Sequence, residues 1–96
     1  MHEPSHPGLL LADILPEMDG GRRTIGEIAT LLGVSRQTLH RVMAGRTAVT
    51  PEMAVRLGKL CGNGPGLWLR MQAAYDAWHA TQRLGKAAID AIPTLT

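Results

Sequence analysis

Thr24-Ile25-Gly26-Glu27-Ile28-Ala29-Thr30-Leu31-Leu32-Gly33-Val34-Ser35-Arg36-Gln37-Thr38-Leu39-His40-Arg41-Val42-Met43-Ala44-Gly45 is the stretch that decides the fold. It reads as two short helices joined by a sharp turn. Thr24 is a favoured N-cap residue, and Glu27 three positions later completes the pattern of a capping box. Ala29 is small enough for the two helices to approach closely, and Gly33 ends the first helix at a position that tolerates positive φ. Val34 plugs the corner. Ser35 caps the second helix, and Gly45 supplies its stop signal.

The second segment has two faces. At about 100° per residue, Leu39, Val42 and Met43 share one arc and Arg36, Gln37, His40 and Arg41 the opposite one. The apolar arc is expected to pack. The polar arc carries groups suited to base edges, since arginine forks onto guanine O6/N7 and glutamine pairs twice with adenine N6/N7. Thr38 adds a hydroxyl and a methyl. A merely solvated helix face is the competing reading. The turn spacing, the two caps and the Arg-Gln start occur together, which favours a helix-turn-helix DNA reader.

Charge distribution agrees with that reading better than net charge does. The 96 residues carry a formal net charge of only +2. Arg22, Arg23, Arg36, Arg41 and Arg46 are nevertheless opposed between them only by Glu27, whereas Glu3, Asp13, Glu17 and Asp19 precede them. A local basic stripe on a balanced surface is the electrostatic footprint of a specific DNA binder, and so modest a stripe calls for dimerisation.

Size bounds the rest. A chain this short holds one core. With 45% hydrophobic residues and no Phe, that core is built of Leu, Ile, Val, Ala and Met, which suits packed helices. Neither an apolar run of about twenty residues nor a signal-peptide pattern occurs, so no membrane association and a cytoplasmic location are expected. Cys61 has no disulfide partner and is expected to pack. His2, His6, His40 and His79 are dispersed and form no metal motif. No acid–base pair, nucleophile–base pair or phosphate loop stands at a useful spacing, so neither enzymatic activity nor a cofactor is expected.

Around the central pair, His6-Pro7-Gly8 opens a first helix through Leu15, with Pro16 bending or ending it. Thr50-Pro51 is an N-cap followed by proline at N1, predicting a fourth helix that ends at Gly62. Asn63-Gly64 is a turn. Pro65 leads into a fifth helix, on which Leu67, Trp68, Met71, Ala74, Tyr75 and Trp78 recur at spacings of three and four. That stripe allows core packing, a dimer interface built on Trp68, Met71, Tyr75 and Trp78, or a contact with another protein.

Three blocks in this order resemble the HigA-type antitoxins of bacterial toxin–antitoxin modules. They are His6-Pro7-Gly8, then Gly33 to Leu39 with the Gly45 stop and Thr50 to Leu57, then Trp68 to Asp76. The resemblance runs from about Pro7 to Trp78. It implies an all-α, five-helix, lambda-repressor-like domain over residues 7–83, followed by a weakly structured extension over 84–96. The implied function is binding of double-stranded operator DNA as a homodimer, autorepression, and neutralisation of a HigB-type mRNA-cleaving toxin. Arg36, Gln37 and Arg41 are the expected base contacts; Ser35, Thr38, His40 and Arg46 are expected to contact or support the backbone. A solitary transcriptional regulator uses the same residues. A helical interaction module without DNA binding uses only the scaffold.

The chain departs from the pattern in two places. Ile25 stands where many helix-turn-helix proteins carry a phosphate-gripping Gln. The segment Met18 to Arg23 is long and glycine-rich for a first connection, and its arginines either compensate at the phosphates or remain solvated.

Overall fold

The computed structural model describes residues 2–95, and these are all-helical in their regular structure. Six α-helices follow in order: α1 (Pro7–Ile14), α2 (Ile25–Leu32), α3 (Arg36–Met43), α4 (Pro51–Cys61), α5 (Gly66–Leu84) and α6 (Lys86–Asp90). A 3₁₀ segment, Leu15–Gly21, connects α1 to α2 and is broken where Met18 is extended and Asp19 turns to φ 54°. Pro16 opens this segment because its ring cannot continue the α-helical hydrogen-bond ladder. The helix count exceeds expectation by one. Gly85 interrupts α5 with φ 84° and ψ 155°, and the chain then resumes helix for five residues.

Local chemistry sets most boundaries. Thr24 Oγ1 accepts from the Glu27 amide at 3.1 Å while Glu27 Oε1 accepts from the Thr24 amide at 3.2 Å, so both halves of the capping box form. At the other end of α2, Val34 N donates to Ala29 O and Gly33 N to Thr30 O, the paired bonds of a Schellman ending. Gly33 sits at φ 77°, where a β-carbon would be strained. Thr50 caps α4 through the Met53 amide, with Pro51 at N1 as the sequence indicates.

The core is aliphatic apart from one indole. Leu11, Leu15, Ile28, Leu39, Ala54 and Leu57 are among the side chains removed from solvent, with Trp68 of α5 at 0% exposure closing over them. Trp68 Nε1 reaches Asn63 Oδ1 at 3.3 Å, which satisfies the indole donor at the edge of the core. Cys61 packs half-buried against the same cluster, and burial pushes its thiol pKa up, away from thiolate reactivity. Among the described residues no helix is long and apolar enough to cross a membrane.

Candidate nucleic-acid interface

Helix α3 presents its two arcs as the periodicity requires. Leu39 and Val42 are buried and Met43 half-buried, while Arg36, Gln37, Thr38, His40 and Arg41 are exposed. Burial of two aliphatic side chains at 2% exposure or less fixes the rotation of the helix, so the polar arc cannot turn inward. Ser35 orders the first turn: its Oγ accepts from the Thr38 amide at 3.0 Å and donates to Thr38 Oγ1 at 2.7 Å. Thr38 keeps its own hydroxyl proton for an acceptor outside the chain.

Arg36 is partly engaged. Its Nε donates to His40 Nε2 at 3.4 Å, and its Cδ passes close enough to Gly26 that an added β-carbon there would lie 3.7 Å away. The stem thus rests on the start of α2, leaving the two terminal amino groups of the guanidinium as the free fork. Gln37 and Arg41 stand exposed one and five positions further along the same helix. Arg46 follows immediately after the helix stop and is also exposed. Its amide donates to Arg41 O at 2.9 Å, so the residue is tied to the end of α3.

The two arginines before α2 differ from one another. Arg23 Nε pairs with Asp19 Oδ2 at 3.1 Å on the exposed connection, and Arg22 stands exposed beside it. Ile25 is half-buried and packs against the core from the first position of α2. Its apolar side chain therefore contributes to folding.

The stripe on α5 is divided. Trp68 is fully buried within this single chain, so it belongs to the core and is withdrawn from the candidate dimer interface. Met71, Tyr75 and Trp78 are half-buried, and past Gln72 the helix has no buried residue. Pro4, Ala74, Ala77, Trp78, Thr81 and Gln82 line an open groove of about 660 Å³ along this half.

Two supporting residues, Arg56 and Gln72, were not assigned roles from the sequence, and a third, His6, does more than open α1. Arg56 Nη1 donates to Leu32 O at 2.8 Å and Nη2 to Glu52 Oε1 at 3.0 Å, joining α4 to the end of α2. Gln72, 6% exposed, lies one turn after Trp68 and bonds to the α3–α4 loop. That spacing of four from an inward tryptophan was its sequence signal. His6 is buried at 4% exposure, and its Nδ1 accepts from the Gly8 amide at 2.9 Å, capping α1. Its ring meets Tyr75 edge-on at 4.9 Å, which ties the amino-terminal segment to α5.

Comparison with known proteins follows the same lines. Residues 19–67 match the helix-turn-helix domain family. The chain is 38% identical over 77 residues to virulence-associated protein A' of Dichelobacter nodosus, an alignment covering 79% of this chain and 64% of that one. It thus spans somewhat less than two thirds of that relative's length. Among solved structures, an addiction module antidote protein of the HigA family from Coxiella burnetii superposes with a TM-score of 0.85 at 29% identity, covering 97% of this chain and 99% of that one. The antitoxin HigA of Pseudomonas aeruginosa, solved with the higBA promoter, gives a TM-score of 0.83 at 28% identity over 97% and 99% of the two chains.

Proposed function

This chain belongs to the helix-turn-helix domain family, and from that premise we propose that it is a HigA-type antitoxin that reads its own operator as a homodimer. The observation that carries this is the rigidly presented polar arc of α3, held outward by Leu39 and Val42 and ordered by the Ser35 cap. Arg36, Gln37 and Arg41 read base edges in the major groove, and Ser35, Thr38, His40 and Arg46 engage or support the phosphate backbone. Two copies place their α3 helices about 34 Å apart, one turn of duplex, on a palindromic site. The half-exposed second half of α5 supplies the contact between copies. The protein partner is a HigB-type toxin, and binding by that toxin links neutralisation to control of the operon.

Two substitutions separate the roles. Gln37→Ala costs about 1–3 kcal/mol on the cognate operator and relaxes preference at one base position. Arg46→Ala weakens binding to every duplex and lowers the salt slope by about one. Titration of both variants on the promoter fragment and on an unrelated duplex checks this, and parental affinity in both would remove α3 as the reader. Co-purification with the product of the adjacent gene, followed by a promoter mobility shift with and without it, tests the toxin.

A further inference from the structure

The loop between α3 and α4 carries Arg46 and Thr47 outward, yet no apolar anchor other than Val49 holds it down: Arg46, Thr47 and Ala48 are exposed and Val49 is 2% exposed. Its start is tied to α3 through Arg46 N to Arg41 O, and its far end is held from α5. Gln72 Oε1 accepts from the Val49 amide at 2.7 Å, a bond spanning 23 residues. The other end of the same side-chain amide is also occupied, since Nε2 donates to Asp76 Oδ1 at 3.0 Å. A carboxylate only accepts and a backbone amide only donates, so these two partners admit one orientation of the Gln72 amide. Asp76 thereby sets which atom faces the loop. His6 completes the shelf: its ring lies beneath Gly45, where an added β-carbon would come within 3.5 Å of His6 Cγ.

We propose that Gln72 is a positioning residue for DNA recognition, pinning the Val49 amide so that the loop delivers Arg46 and Thr47 to the phosphate backbone, with Asp76 holding Gln72 in register. The inference rests on the reading of Arg46 as a phosphate contact. Loop order then contributes affinity without base selectivity, because what it places are backbone contacts. It also places the loop's support on the same helix as the candidate contact between copies.

Anisotropy titrations of the full chain on its promoter duplex and on an unrelated duplex, across a salt series, test the proposal. Gln72→Met keeps the side-chain length and removes both bonds. It should raise Kd on both duplexes by about tenfold, lower the salt slope by about one, and leave the ratio between duplexes unchanged. In an Arg46→Ala background the same change should lower the slope no further. Gln72→Glu alone puts a second carboxylate against Asp76 and should weaken binding. Combined with Asp76→Asn it reverses the donor and acceptor roles at that contact, restores the parental charge, and should recover affinity and slope.

A folded Gln72→Met protein with the parental slope would overturn the proposal, as would an additional slope loss in the Arg46→Ala background. If Gln72→Met does not fold, the two Gln72→Glu proteins decide, and equal affinities for single and double variants overturn it. A parent chain with no salt-dependent affinity for either duplex overturns the DNA reading together with the inference, whereas parental binding with unaffected Gln72 variants overturns the inference alone.

Discussion

His6 shows how one side chain joins folding to the DNA-facing surface. Its Nδ1 accepts from the Gly8 amide, so this nitrogen must be unprotonated for the α1 cap to exist. Burial lowers the His6 pKa, outweighing the Thr47 backbone and the Asp76 carboxylate, both of which favour the charged ring. The unfolded chain therefore binds a proton that the folded chain resists. Stability from His6 is fully present above the ordinary histidine value of about 6.5 and is lost as pH falls from there through the depressed folded value. His6→Asn keeps a capping acceptor and removes the titration. Urea denaturation at pH 7.5 and 5.5 should show a smaller loss on acidification for His6→Asn than for the parent. Identical losses would assign the pH dependence elsewhere.

At the scale of elements, α1 is positioned by a close backbone approach as well as by the buried Leu11. A β-carbon on Gly8 would lie 1.6 Å from Val42 O, which means that α1 sits directly on the backbone at the end of α3. Gly8→Ala must therefore push α1 off α3, at a cost of about 3 kcal/mol or more, and a thermal melt should show it. Arg56→Met should be milder. It removes a charge-assisted bond to Leu32 O and should cost about 1–2 kcal/mol in denaturant titration. These elements also mark where sequence reading succeeds. Thr24 with Glu27, Gly33, Ser35 and Thr50-Pro51 act within a turn of themselves, so their signals survive in one dimension. Gly8, Arg56 and Gln72 act on partners 34, 24 and 23 positions away, and nothing local specifies those partners. The His6-Pro7-Gly8 and Trp68 to Asp76 blocks were visible as motifs before their physical purpose was. The structure supplies that purpose: each holds one end of the α3 and loop assembly.

The whole molecule is long for its size. A radius of gyration of 16.2 Å exceeds the roughly 12–13 Å expected for a compact chain of this length, and the principal extents are 53 × 23 × 22 Å. The excess comes from α5, whose 19 residues span about 28 Å, and from α6, which packs against α5 alone among the described helices. Only the first two turns of α5 reach the core through Trp68 and Gln72. Beyond them the helix carries half-buried Tyr75 and Trp78 against the amino-terminal segment and ends at Leu84, 56% exposed, with Ile92 past α6 at 65%. The amino-terminal segment covers this half of α5 only in part, through His6 on Tyr75, so under the homodimer proposal a second copy would cover the rest, and a closed twofold pairing would set two α3 helices on one duplex. The two tryptophans should then behave oppositely. Trp68→Ala empties the core and should cost about 3–5 kcal/mol of folding stability in a denaturant titration. Trp78→Ala combined with Ala74→Glu should leave the fold intact and shift sedimentation towards monomer. Operator affinity should fall with it, because two half-sites are no longer bound as one unit, while binding to an isolated half-site stays near the parental value. A dimer that survives the Trp78 and Ala74 changes would place the contact between copies elsewhere than on α5.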